Sequence, residues 1–133
     1  MSAKASEDRI VATLRERVPG LVAVYRFGSS GTAAERASSD LDLAVFTDPP
    51  LASHDRTRLR WQVAEAVAAL VGRDVDLVDL GSASNVLRAR IVTSGTRLWC
   101  GDVTAAERFE DYALSSYARL NEERAGILRD IHE

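Results

Sequence analysis

Two aspartates at alternate positions of a short apolar segment constrain this chain more than any other feature of its sequence. In the segment 40–47, large apolar side chains recur at every second position, which predicts a β-strand with one buried face. Asp40 and Asp42 lie two residues apart, so both carboxylates project from the same face of that strand. Aspartate is uncommon in strands. The pair therefore indicates a bound ligand rather than the alternative, a solvated face of an edge strand.

The rest of the chain divides into helical and extended segments separated by glycine and proline. Apolar residues spaced three and four apart predict helices, and short valine- and leucine-rich runs predict strands. This order indicates an α/β (α+β) fold, with a small mixed β-sheet, helices packed on one face and the aspartates on the other. The predicted elements are helix 6–18, strand 21–27, a loop or short helix over 30–39, strand 40–47, a helix from Leu59 that stops at Gly72, strand 74–80, helix 86–95, strand 96–100 and a long helix 104–132.

The size of the chain indicates a single domain spanning 1–133. Its 133 residues, 46% hydrophobic and 28% charged, suit one compact domain with one core. Thr104 followed by Glu107 is typical of a capping box at the start of the last helix. A helix over 104–132 would be about 43 Å long at about 1.5 Å per residue, against a radius of gyration of about 14 Å. We therefore expect its far end to extend beyond the core, where a partner can bind it.

The charge and cysteine content exclude several classes of protein. The net charge is -3 and the 17 basic residues are spread along the chain, so we predict no direct nucleic-acid partner. Cys100 has no second cysteine for an internal disulfide, and no apolar run is long enough for a signal peptide or a membrane span. His54 and His132 are too far apart to suggest a zinc site. We expect a cytoplasmic protein without a membrane partner.

A third carboxylate is needed to complete a metal site beside Asp40 and Asp42. Asp76 in the next predicted strand is the preferred candidate; Asp74 shares its face and is the fallback, whereas Asp79 has the opposite parity and should point away. Carboxylate oxygens are hard ligands that suit Mg²⁺, and two such ions about 3.5 to 4 Å apart can orient a triphosphate for in-line displacement. We therefore predict that Asp40, Asp42 and Asp76 bind the metal. Asp76 would also serve as the general base for the attacking hydroxyl.

A glycine-serine pair directly after the first predicted strand is predicted to hold phosphates. Gly28 lets backbone amides approach phosphate oxygens, and the hydroxyl of Ser29 adds a donor. Ser30 is included with them as a nucleotide-binding residue. Arg36 in the following segment and Arg88 after the third strand are candidate phosphate contacts, with ordinary surface ion pairs as the alternative.

The spacing of these motifs resembles the signature of the DNA polymerase β-type nucleotidyltransferase superfamily. Gly-Ser at 28–29 is separated by ten residues from Asp-Leu-Asp at 40–42. Four fixed residues of types used at about 5 to 7% would coincide by chance in roughly one in several hundred chains of this length. The short length and the segments 39–45 and 75–78 also resemble the minimal nucleotidyltransferases, which are antitoxin partners of HEPN-domain RNase toxins. This resemblance covers most of the chain.

This resemblance implies a polymerase β-like fold and a magnesium-dependent protein adenylyltransferase. Such an enzyme uses ATP and attaches AMP to a tyrosine of its cognate HEPN toxin, with which it forms a complex. Many relatives carry Ala-Arg-Gly shortly after the serine, whereas this chain reads Ser-Gly-Thr-Ala at 30–33, so an expected phosphate contact is missing. Two alternatives stay open: an antitoxin that acts only by binding its partner, and an enzyme that adenylylates a small antibiotic such as an aminoglycoside. The second would need another wall for its acceptor pocket, and little of the chain is left to build one.

Overall fold

The computed structural model describes residues 3–28 and 40–132, which form a four-stranded sheet with helices on both faces. All four predicted strands are confirmed, with ends that differ by at most one residue from the sequence prediction. The elements are α1 (Ala3–Arg17), β1 (Leu21–Phe27), β2 (Leu41–Thr47), α2 (Ser53–Arg58), a π-helical turn (Leu59–Val63), α3 (Ala64–Val71), β3 (Val75–Asp79), a 3-10 turn (Leu80–Ser82), α4 (Asn85–Ser94), β4 (Thr96–Cys100) and α5 (Val103–His132).

The sheet is mixed, as predicted, and has the strand order β3-β2-β1-β4. β1 pairs antiparallel with both β2 and β4, whereas β2 and β3 run parallel. A parallel pair needs a crossover connection, and the segment that contains α2 and α3 supplies it. β2, which carries Asp42 and directly follows Asp40, is therefore an interior strand, and β3 forms one edge of the sheet.

Helices cover both faces of the sheet, whereas the sequence analysis predicted helices on one face only. The first face packs against α1 and α3, and the second packs against α4 and α5. The reason lies in β1 and β2, because their second face is also apolar and must be covered. The first core contains Leu14, Val24, Leu43, Val45 and Val67, and the second contains Tyr25, Ala44, Ile91, Ala106 and Phe109.

The crossover helix begins earlier than the sequence indicates. It starts at Ser53 rather than Leu59, because the segment 53–58 is polar and carries no apolar periodicity that would reveal a helix. The π-helical turn follows, and α3 ends where predicted, at Gly72, whose φ of 68° is the left-handed conformation of a helix stop.

The last helix runs from Val103 to His132, close to its predicted bounds. Its cap differs from the predicted capping box of Thr104 and Glu107: Asp102 accepts a hydrogen bond from the amide of Ala105 at 3.1 Å. An aspartate just before the first turn accepts a hydrogen bond from an otherwise unpaired amide, and its negative charge interacts favourably with the helix dipole. Ala113 is the last described residue of α5 that is buried; beyond it Leu120 is half-buried and most of the other described residues are exposed. Over the described ranges, no helix combines the length and the hydropathy that a membrane span requires.

Tyr25 is a buried residue whose hydroxyl makes no well-aligned hydrogen bond with the described residues, although the Arg97 guanidinium lies close enough to interact with it. Burial raises its pKa from 10.0 to about 12, helped by the negative charge of Glu110 and opposed by Arg97. Because an unpartnered buried hydroxyl is costly, we expect Tyr25→Phe to raise the free energy of unfolding by about 1 kcal/mol.

The effect of this substitution should grow in alkali. The folded state favours the neutral phenol, so ionisation of Tyr25 does not affect the stability of the parent chain below pH 10. As the pH rises towards 12, ionisation lowers the free energy of unfolding of the parent chain, whereas the phenylalanine variant has no such loss. Urea unfolding of both proteins at pH 8 and pH 11 measures the difference, which should be larger at pH 11. A Tyr25→Phe protein that is less stable at pH 8 would show that the hydroxyl is satisfied after all.

Candidate active site

The parallel pairing of β2 and β3 brings two of the three predicted acids side by side. Asp42 and Asp76 are register partners on the two neighbouring strands, so their side chains project from the same face of the sheet. The amide of Leu41 donates to the carbonyl of Asp74 at 2.8 Å and fixes this register at the start of both strands. Asp40 immediately precedes β2 and has the same parity as Asp42. The predicted acidic face is therefore present.

The three carboxylates share one electrostatic environment, centred on Asp42. Asp42 is half-buried, whereas Asp40 and Asp76 are exposed. Burial raises the pKa of Asp42, the negative charges of Asp76 and Asp40 raise it further, and the positive charges of Arg90 and Arg73 oppose the rise. Like charges held together in this way are unfavourable unless a cation offsets them.

Gly28 lies directly against the Asp42 carboxylate, at the end of β1. Its φ is +74°, a conformation that L side chains rarely adopt, and a Cβ at this position would stand only 3.1 Å from the Asp42 Cγ. Phe27, the preceding residue, pairs with Asp42 across the strands, which explains the close approach. Glycine is therefore required here both by the backbone conformation and by the space that Asp42 occupies.

The donor chemistry of this face fits a hard divalent cation such as Mg²⁺. Asp42 and Asp76 offer carboxylate oxygens from adjacent strands, and burial followed by the repulsion of Asp76 and Asp40 raises the pKa of Asp42, costs that a bound cation would offset. Within 3–28 and 40–132, however, no three acidic, histidine or cysteine side chains stand close enough together to enclose a metal ion. The pair from β2 and β3 is in place, and its completion by Asp40 stays a prediction.

The side chain of Arg88 is engaged with the backbone rather than directed at the acids. Its Nε donates to the carbonyl of Leu80 at 2.8 Å and its Nη2 donates to the carbonyl of Gly81 at 2.5 Å. These bonds hold the 3-10 turn against α4, which is a structural role that the sequence did not reveal. A phosphate contact by Arg88 stays a prediction. Ser29, Ser30 and Arg36, the other predicted nucleotide-binding residues, lie outside the described ranges.

Two arginines near the acids escaped the sequence analysis. Arg90 and Arg73 both act on the charge of Asp42, and Arg73 also donates to the backbone carbonyl of Asp40 at 3.4 Å. Arg73 lies just before β3 and Arg90 lies on α4, so only the folded crossover and the packing of α4 bring them to β2. No motif or spacing in the sequence marks them.

Asp79, at the end of β3, and Asp74, just before β3, do not pair with Asp42. The carboxylate of Asp79 caps the 3-10 turn: it accepts hydrogen bonds from the Gly81 amide and the Ser82 hydroxyl, both at 3.1 Å. Asp74, the fallback ligand, is exposed and offers its backbone carbonyl to β2. Asp76 is therefore the acid of β3 that stands opposite Asp42.

Known proteins with a similar sequence and fold match this chain over nearly its full length. Residues 8–104 match the family described as polymerase beta, nucleotidyltransferase. The protein adenylyltransferase MntA of Shewanella oneidensis is 37% identical over 126 residues, which cover 95% of this chain and 87% of that protein.

Solved structures give the same picture. A toxin-antitoxin with AMP-PNP contains a chain that is 37% identical, with a TM-score of 0.79, and the match covers 96% of this chain and 98% of that chain. A complex of tri-AMPylated Shewanella oneidensis HEPN toxin with MNT antitoxin contains one that is 36% identical, with a TM-score of 0.76, and the match covers 98% of each chain. The four-stranded sheet and its long last helix are thus those of a polymerase β-like nucleotidyltransferase.

Proposed function

The chain belongs to the polymerase beta nucleotidyltransferase family, and from that premise we propose that it is an antitoxin that transfers AMP from Mg-ATP to a tyrosine of a cognate HEPN-domain RNase toxin. The observation that carries this proposal is the register pairing of Asp42 with Asp76, beside a glycine that leaves room for the carboxylate. The relatives that share this architecture include a named protein adenylyltransferase and an antitoxin bound to an AMPylated toxin. We further propose that the whole chain, 1–133, acts as one domain in the cytoplasm.

The acids divide the chemistry between metal binding and proton transfer. Asp40, Asp42 and Asp76 would hold two magnesium ions, which when bound supply positive charge to the triphosphate and to the leaving pyrophosphate. Asp76 is exposed beside Asp42, so an acceptor hydroxyl can approach it and give up its proton there. Arg90 adds positive charge close to Asp42, at a site where the usual loop arginine is missing.

The nucleotide would bind at the end of β1. Gly28 is the last described residue before position 40, and its positive φ turns the chain beside Asp42. The amide and hydroxyl groups of Ser29 and Ser30 would hold the phosphates there, with Arg36 and Arg88 as further candidate contacts. A triphosphate held there would lie next to the acids that are proposed to bind its metal ions.

A transfer assay tests the proposal directly. The purified chain, mixed with the HEPN-domain protein encoded beside it, α-³²P-ATP and Mg²⁺, should label that protein, and EDTA should abolish the label. Mass spectrometry should locate the added AMP on a tyrosine. If the two proteins bind each other but no label appears, transfer of AMP is not the activity of this chain.

The same assay separates the antibiotic alternative. Candidate aminoglycosides replace the HEPN protein as acceptors, and thin-layer chromatography detects adenylylated drug. We expect no product, because the relatives that share this fold include a protein adenylyltransferase and an antitoxin bound to an AMPylated toxin. Drug adenylylation at a rate above that of the protein acceptor would reverse the assignment.

A further inference from the structure

A groove of about 520 Å³ runs along the outer edge of β3. Its floor is the strand itself, residues 76–79, and the segment 82–87 contributes to one wall. The other wall is a single helical face that carries Arg56, Arg60 and Trp61. The site described above does not use this groove, although Asp76 belongs to both.

The helical wall carries a tryptophan side chain that is not packed in either core. Leu59 and Val63 are 3% and 2% exposed and fix the π-helical turn on the first core, whereas Trp61, between them, is 67% exposed. The guanidinium of Arg60 lies 6.0 Å from the centre of the Trp61 ring. Exposed tryptophan beside arginine is the composition of protein-binding hot spots, and short π-helical segments often occur at functional sites.

The floor of the groove offers unpaired backbone groups. Among the described strands β3 lies at the edge of the sheet and pairs only with β2, so alternate amides and carbonyls of Val75–Asp79 face outwards. An extended polypeptide can add to such an edge by main-chain hydrogen bonds, while side-chain pockets beside it give specificity. Backbone partners of this kind favour a polypeptide over a small molecule.

We propose that this groove binds an extended segment of the protein acceptor and delivers its tyrosine to Asp76. The inference rests on the proposed function and adds the direction from which the acceptor arrives. Gly28 and Asp42 lie on the β1 side of Asp76, where the nucleotide would bind, so the β3 side is left for the second substrate. The two substrates thus reach the acids from opposite edges.

The transfer step balances in this geometry. The tyrosine oxygen forms a bond to the α-phosphorus of ATP, and the bond from that phosphorus to the bridging oxygen of the β-phosphate breaks. Pyrophosphate leaves with the electron pair, and the phenolic proton passes to the Asp76 carboxylate. An acceptor seated along β3 would bring its hydroxyl to this carboxylate from the open side.

Trp61→Ala and Arg60→Ala test the groove, with Gln62→Ala and Arg58→Ala as controls. All four residues are exposed, but the two controls do not line the groove. We expect the groove variants to raise the KM for the HEPN protein by roughly 10-fold, the loss typical of an aromatic or arginine hot spot. The dissociation constant for AMP-PNP, measured by calorimetry on the chain alone, should not change.

The outcomes separate this proposal from the function on which it rests. If the groove variants weaken AMP-PNP binding and leave the KM for the HEPN protein unchanged, the groove binds nucleotide and the proposal is wrong. Hydrogen exchange gives a reading that does not depend on catalysis: the amides of β3 should gain protection when the HEPN protein is added. If the β3 amides stay unprotected in a complex shown to be saturated, the proposal that the groove binds the acceptor is wrong, even if AMP transfer is confirmed.

Discussion

Asp42→Asn is expected to lower the rate of AMP transfer by about 10³-fold, the loss that corresponds to several kcal/mol of transition-state stabilisation. Asp42 stands between Gly28 and Asp76, so it is the acid that contacts both halves of the site. Asparagine keeps the shape of the side chain but removes the charge that a divalent cation requires. Initial rates of labelling of the HEPN protein measure the effect. Asp8→Asn, an exposed aspartate on α1, is the matched control and should leave the rate unchanged.

Although Asp42→Asn should lower the rate of transfer, it should not lower the free energy of unfolding. The pKa of Asp42 is raised in the folded state, so its ionised form is a cost that is present at neutral pH and disappears as the pH falls through that pKa. Asp42→Asn should therefore be at least as stable as the parent chain in urea at pH 7 without added metal. Loss of stability would show that the carboxylate is satisfied by the protein itself.

Asp42→Asn also distinguishes an enzyme from an antitoxin that only binds. If the variant still binds the HEPN protein but no longer relieves its toxicity in cells, neutralisation depends on catalysis. Neutralisation that survives undiminished would favour the alternative, in which the largely exposed second half of α5 or another surface acts by binding alone.

Gly28→Ala is expected to abolish most of the activity and to destabilise the fold by about 1 to 2 kcal/mol, the cost of a left-handed conformation for an L residue. The added methyl group must also displace the Asp42 carboxylate, whose Cγ would lie 3.1 Å from it. A displacement of about 1 Å in a catalytic group can cost about 10²-fold in rate. Urea unfolding and the transfer assay measure the two effects separately.

Gly72→Ala provides the matched control for this change. Gly72 has nearly the same φ, +68°, but a Cβ there would meet nothing within 4 Å. It should therefore lose a similar amount of stability and keep the rate of transfer. If Gly28→Ala is no less active than Gly72→Ala, the contact with Asp42 has no catalytic importance.

The strands and the acidic face could be predicted because their signals are local. Alternation along β2 places Leu41 and Leu43 on one side and Asp42 on the other, whatever the neighbouring strands are. The parity argument also separated Asp76 from Asp79, and the parallel register with β2 bears it out. Gly72 was identifiable because a helix stop requires a conformation that glycine adopts readily.

What could not be predicted depends on tertiary contacts. The segment that forms α2 is polar, so its helix is stabilised by its position in the crossover and not by an apolar stripe of its own. Arg90 is distant from β2 in the sequence and is brought towards Asp42 only by the packing of α4. The second layer of helices arises because both faces of β1 are apolar, which an alternating pattern does not suggest.

The parallel pairing of β2 with β3 also determines how much of the chain must be synthesised before the acidic site can form. A tight turn cannot join two strands that run the same way. The ribosome must therefore deliver the whole crossover, and then β3, before Asp76 can meet Asp42. If Asp76 acts as proposed, a nascent chain that stops short of Val75–Asp79 cannot transfer AMP, however well its first strands have folded.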